Sequence, residues 1–311
     1  MADPGTGGCA MTAAGEALEA SLMEPERRRF RAIPAPLLPA TIVMIVLLVA
    51  PLAVLLSYSV LEVNGAAVEG GISFATFGRL LSSRYFWFLF GRTFAIALGV
   101  TLLCLVIGYP IAFLITRVRG WLRAVILVAV AAPLLTSGII RAFAWIVILG
   151  KQGLVNFALT STGLADEPVS LLFQVRSVVI GMTQLLLPFM VIPLISAIQD
   201  VPAETTHAAR NLGASEFRIF WRVLVPQTVP GAAAGITLVF ALGYSEFTLA
   251  MLLGGGSFNY LSIYIYDSMT SLLDWGRGAA AAALLLASSL LTVVILNLVV
   301  RRLTRWSRQT N

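Results

Sequence analysis

Five stretches of this chain carry no charged residue over a length that can cross a lipid bilayer: between Arg31 and Glu62, Arg92 and Arg117, Arg176 and Asp200, Arg222 and Glu246, and Arg277 and Arg301. Each holds the roughly 20 apolar residues that cross a hydrocarbon core of about 30 Å as a helix, which satisfies every backbone polar group without water. A sixth candidate runs from Arg123 towards Lys151 and is interrupted only by Arg141. The spacing predicts an all-α membrane protein with about six spans, near 37–60, 93–116, 124–149, 177–198, 229–252 and 279–300. Composition agrees, since 59% of the 311 residues are hydrophobic and 12% charged, against about a quarter charged in soluble domains.

The arginines orient the spans. They cluster at Arg27, Arg28, Arg29 and Arg31; at Arg117, Arg119 and Arg123; at Arg210, Arg218 and Arg222; and at Arg301, Arg302, Arg305 and Arg308. All four clusters fall on one side if the spans alternate, and the positive-inside rule makes that side the cytoplasm. Both termini are then expected inside, with Glu62, Glu69, Asp166, Glu167, Asp267 and Asp274 outside. The net charge of +6 follows from topology and implies no nucleic-acid partner. Residues 1–36 are expected to form a cytoplasmic arm with a short helix over 13–23. Residues 37–306 form the transmembrane domain and 307–311 a cytoplasmic tail.

Several chemistries are excluded by inventory. Cys9 in the arm and Cys104 in a span are expected to be free thiols. His207 is the sole histidine, so no His/Cys metal cluster can be assembled and no metal or other cofactor is expected. Lys151 in "LGKQG" lacks the Gly-Lys-Ser/Thr order of a phosphate loop. The glycines of "LLGGGSF", Leu252–Phe258, follow a span with no strand before them and predict a loop or re-entrant turn.

A polar insert, "HAARNLGASEFRIFWRVLVPQTVPG", interrupts the apolar pattern from His207 to Gly231. Asp200 is a candidate N-cap and Pro202 suits a first turn, predicting a helix over about 203–212. Gly213 can close it in a left-handed conformation. Ser215 can cap a second helix, with Glu216 at its positive end and Phe217, Phe220, Trp221 and Leu224 at helical spacing. Pro226 and Pro230 are expected to end that helix before the next span. The insert is therefore a rigid cytoplasmic knob joined to a membrane helix.

"HAARNLGASEFRIFWRVLVP" resembles the coupling loop of ABC-importer permeases, with Ala208, Ala209, Gly213, Leu224 and Pro226 at matching positions. "GYPIAFLITR" (Gly108–Arg117), "RAFAWIVILGKQGLVN" (Arg141–Asn156), "LLLPFMVIPL" (Leu185–Leu194) and "ALGYSEFTLAMLLGGG" (Ala241–Gly256) extend the resemblance to permeases of the spermidine/putrescine type. It implies the type I importer permease fold and a non-catalytic inner-membrane subunit. That subunit would pair with a second homologous permease, two ABC ATPase subunits and an extracytoplasmic solute-binding protein. Polyamine is the solute implied first; an aminophosphonate or opine is the alternative within the class. A stand-alone secondary transporter is the alternative outside it, and it leaves the knob without a purpose.

The resemblance makes about 200–226 the coupling loop, with Glu204, His207, Ala208, Ala209, Gly213, Ala214, Glu216 and Pro226 facing or shaping the ATPase contact. The family pattern has glutamate where this chain has His207. Glu204, one turn earlier on the same face, can substitute, or His207 is simply a solvated surface residue. For the solute pathway the candidates are Glu246, Tyr244, Trp145 and Arg141, since an alkylammonium is stabilised by carboxylates and aromatic faces. Asp267, Asp274, Trp275, Tyr260 and Tyr264 lie near the outer mouth, where aromatics also form an ordinary interfacial belt. Arg141 and Glu246 share a depth, so Glu246 reads either as a solute contact or as half of a buried ion pair.

Overall fold

The computed structural model describes residues 38–64, 67–256 and 258–308. The expected arm over 1–36, its helix over 13–23, Cys9 and the last three residues of the tail lie outside them. The chain divides into two units, residues 1–53 and 54–311. The first contains most of α1 (Leu38–Val60), an apolar helix whose side chains from Ile42 to Val49 are exposed, as lipid tails allow without penalty.

The second unit continues with a hairpin of β1 (Leu61–Asn64) and β2 (Ala67–Ile72), then α2 (Ala75–Ser82), α3 (Arg84–Arg117) and α4 (Trp121–Ala131). A 3₁₀ turn (Ala132–Leu135) precedes α5 (Gly138–Leu149), α6 (Leu154–Ser161) and α7 (Val175–Gln199). The insert forms α8 (Ala203–Asn211), α9 (Glu216–Ile219) and a π turn (Phe220–Leu224). The chain closes with α10 (Val225–Ser245), α11 (Thr248–Gly254), α12 (Leu261–Thr270) and α13 (Trp275–Arg308). Among the described residues six helical runs are long and apolar enough to cross a membrane: 39–60, 84–117, 138–161, 175–199, 216–245 and 275–300.

Helices α3, α7 and α10 pack pairwise and form the centre of the unit, with Val100, Cys104, Met182, Leu186, Met190, Leu194 and Val239 buried between them. The approach of α10 to α7 depends on Gly231 and Gly235. A Cβ at Gly231 would lie 2.2 Å from that of Ala197, and one at Gly235 2.8 Å from the Met190 sulfur. Small residues four apart give a membrane helix the close backbone contact that apolar bulk cannot, because lipid competes equally for bulky apolar surface. Cys104 is a buried free thiol.

The elements depart from expectation at four places. The span expected over 124–149 is not continuous, because Pro133 has no N–H and the chain turns 3₁₀ before restarting at Gly138. The span expected over 229–252 stops at Ser245, breaks at Glu246 and Phe247, and resumes as the short α11. Helix α3 starts nine residues earlier than expected and takes in Arg92, whose guanidinium lies over the Phe258 ring at 4.9 Å. Pro226 and Pro230 do not end the insert's second helix. It runs through the π turn into α10, and the wider turn accommodates the missing proline N–H of Pro226.

Candidate functional site: the coupling knob and the two helix breaks

Asp200 closes α7 at its C-terminal cap, so the first insert helix begins from Pro202 and not from an Asp200 N-cap. Its other end follows the expected geometry. Gly213 has φ +78°, its N–H bonds to the Arg210 carbonyl at 2.9 Å, and the Ala214 N–H bonds to the Ala209 carbonyl at 3.0 Å. This pair of bonds is the Schellman closure, which satisfies two carbonyls the helix end would otherwise leave bare. The Ser215 hydroxyl then accepts from the Arg218 N–H, capping the next helix.

Glu216 fastens the two insert helices to the membrane domain. Its carboxylate accepts from Arg210 Nε at 2.7 Å and lies 3.7 Å from Arg117 at the end of α3. The bond to Glu216 holds the Arg210 guanidinium above its ordinary pKa. A second fastening is aromatic: the Phe220 ring meets Tyr109 at 5.2 Å and Phe113 at 5.6 Å, both edge-on from α3. The knob is thereby joined to α10 through the backbone and to α3 through these contacts.

Glu204, His207 and Ala208 are exposed on α8, whereas Ala209 and Ala214 are half-buried against the turn. Among the described residues neither Glu204 nor His207 has a partner within the chain. Pro226 is exposed in the first turn of α10. Two apolar side chains stand out, Phe217, which the sequence places on the second insert helix, and Leu212, which carries no expectation. Leu212 is 88% exposed and Phe217 75% exposed, so the knob's outer surface is apolar at its tip. The signal for Leu212 was available: it is a large apolar residue placed between a helix end and its closing glycine.

Inside the membrane domain a charged side chain holds each of the two helix breaks. Arg141, 7% exposed, donates from Nη2 to the carbonyls of Pro133 and Thr136 and to the Thr136 hydroxyl, while its Nε and Nη1 have no partner. The guanidinium therefore staples the 3₁₀ break to α5. Glu246, half-buried at the other break, accepts from the Leu249 N–H at 3.0 Å and so caps α11. The two charges lie within electrostatic reach of each other. Among the described residues neither belongs to an ion pair, so the direct Arg141–Glu246 bridge is absent from this conformation.

Two hydroxyls also hold the α10 break. Tyr260 is fully buried and donates to the Gly243 carbonyl at 2.7 Å, and Ser262 donates to the Glu246 carbonyl at 2.9 Å. Tyr260 is therefore a structural clamp and not part of an outer aromatic belt. Tyr244, 1% exposed, stacks on Phe240 at 5.4 Å and bonds Ser288 at 3.1 Å. Trp145 is half-buried and its indole N–H points to Gln184 at 3.5 Å. A cavity of about 720 Å³ brings Tyr264, Asp267 and Asp274 together with Arg79, Tyr85 and Arg277. Trp275 stands apart from it, beside Tyr58 at 6.1 Å.

The chain is similar to known proteins. The chain is 37% identical over 180 residues to the spermidine/putrescine transport system permease protein PotB of Haemophilus influenzae, covering 58% of this chain and 63% of that one. It is 35% identical over 202 residues to PotB of Escherichia coli, covering 65% and 73%. The molybdenum transport system permease protein ModB of Mycobacterium bovis is 31% identical over 159 residues, covering 51% and 58%. A crystal structure of a bacterial ABC transporter involved in the import of the acidic polysaccharide alginate shares the fold with a TM-score of 0.68 at 21% identity, over 95% of this chain and 99% of that chain. The six apolar runs and the fold fit one family, "binding-protein-dependent transport system inner membrane component", which residues 105–305 match; the chain belongs to it, as a multi-pass permease subunit of an ABC importer.

Proposed function

We propose that this permease imports a polyamine of the spermidine/putrescine class, driven by ATPase subunits that bind its loop over about 200–226. The observation that carries the coupling role is the closed and exposed knob running without interruption into α10. Glu204, His207, Ala208 and the apolar tip at Leu212 form its outward face; Ala209, Gly213, Ala214, Glu216 and Pro226 set its shape. The chain works as half of a pathway completed by a second permease of the same family, with two ATPase subunits inside and a solute-binding protein outside. It has no catalysis of its own, and both its termini lie in the cytoplasm.

The polyamine assignment is supported by the names of the PotB relatives and by the chemistry of the α10 break. There the half-buried Glu246 carboxylate lies at a helix C-terminus, whose carbonyls favour a cation. Trp145 adds an aromatic face, while Tyr244 and Arg141 hold the walls. The test is uptake into proteoliposomes holding the whole transporter. Labelled spermidine should enter only with ATP and the binding protein, and Glu246→Gln should reduce that entry by about tenfold or more, the effect of losing one charged contact. Uptake of an aminophosphonate or opine with no spermidine uptake overturns the assignment.

A further inference from the structure

A primary alkylammonium taken out of water needs acceptors for all its N–H groups. At the α10 break Glu246 supplies only part of that shell, because its carboxylate already accepts from the Leu249 N–H at 3.0 Å. The hydroxyls of Tyr260 and Ser262 are turned to the carbonyls of Gly243 and Glu246, and Tyr244 is paired with Ser288. A further acceptor has to come from another helix.

Helix α7 carries one at the right level. Gln184 follows the Val175 start of α7 by about 14 Å of helix rise, near the middle of a hydrocarbon core of about 30 Å. It is half-buried, its Oε1 lies 3.5 Å from Trp145 Nε1, and among the described residues its amide nitrogen has no hydrogen-bond partner. Polar groups at that depth are costly unless they are partnered or face a wet path. Helices α5, α7 and α11 meet at Gly181, where a Cβ would lie 3.8 Å from Trp145 Cδ1 and 3.9 Å from Leu249 Cδ1. From this junction Gln184 is one helical turn further along α7, and Glu246 is one turn back before Leu249. Alternating spans run α7 inward and α11 outward, so both steps lead inward and bring the amide to the level of the carboxylate. We infer that Gln184 is a solute contact that selects for amines bearing N–H groups. Its carboxamide oxygen accepts from the ammonium that Glu246 neutralises, while the Trp145 indole N–H steadies that oxygen. The inference rests on the polyamine reading above, and it gives the two residues different roles: Glu246 acts through charge, Gln184 through hydrogen bonding alone.

The test is equilibrium binding of labelled spermidine to the assembled transporter in nanodiscs, with competition by its quaternary analogue, in which methyl groups replace every N–H. Gln184→Met keeps the length of the side chain without its acceptor and should weaken spermidine binding about tenfold, the lower end of what a hydrogen bond to a charged group contributes. Gln184→Glu keeps an acceptor and should bind spermidine at least as tightly as the wild type. The quaternary analogue should compete equally well for the wild type and Gln184→Met, but poorly for Glu246→Gln. Wild-type spermidine binding by Gln184→Met overturns the inference. An equal loss of spermidine and the analogue in that variant overturns it too, since the side chain then acts through packing. Weakening by Glu246→Gln but by no Gln184 variant refutes the role of Gln184 and leaves the polyamine reading standing. Weakening by Gln184→Met but not by Glu246→Gln supports Gln184 and refutes the solute role of Glu246 alone.

Discussion

At Gly213 the backbone adopts φ +78°, and a side chain added there meets no atom within 4 Å. Substitution costs are therefore purely conformational, about 1–2 kcal/mol for most residues and less for Asn. Gly213→Val should leave membrane insertion intact and weaken ATPase co-isolation by about tenfold, while Gly213→Asn should weaken it far less. Equal losses in the two would locate the defect elsewhere. Arg141 makes a different case. Its depth was readable from sequence, but its partners are not, because the Pro133 and Thr136 carbonyls become available only where the helix breaks. With no direct bridge to Glu246, a double-mutant cycle of Arg141→Leu and Glu246→Gln should show a coupling below about 1 kcal/mol in thermal stability. A coupling near the 3–5 kcal/mol of a severed buried pair would mean that the bridge forms in the isolated subunit.

Between elements, stability comes from how closely α10 can approach α7. Gly235→Leu forces the two backbones apart against Met190 and should cost about 1–3 kcal/mol, as other overpacked sites do. Gly99→Ala, inside α3 and with nothing within 4 Å of its Cβ, should hold or raise the melting temperature, since alanine favours the helix over glycine; a loss matching that of Gly235→Leu would remove the packing argument. The number of spans was legible because the charge-free gaps record the thickness of the bilayer; the third, expected over 124–149, lies at 138–161. Their breaks were not read, although Pro133 marks the first; at Glu246–Phe247 no proline or glycine falls within the break itself, and what holds it is the Tyr260 and Ser262 hydroxyls from beyond α11. The knob's turn was legible because Gly213 and Ser215 act locally. The run through Pro226 into α10 was not, because it depends on the π turn, and the clamp from Tyr260 depends on a contact 17 residues away.

For the whole molecule, alternation of the spans places Thr162 and Ser215 on opposite sides of the membrane. Cysteines introduced at each should label with an impermeant thiol reagent from opposite faces, and labelling from one face would contradict the topology. The central claim is that the knob carries the ATPase's movement into the permease. Leu212, 88% exposed at the knob's tip, tests it most directly. In the assembled transporter Leu212→Cys is joined to a cysteine on the ATPase surface by a cleavable crosslinker, and ATP-driven uptake is measured before and after cleavage. We expect the crosslink to form with the ATPase, to stop uptake, and to release it on cleavage. No crosslink at any ATPase position, with uptake intact, would contradict the coupling role of this loop.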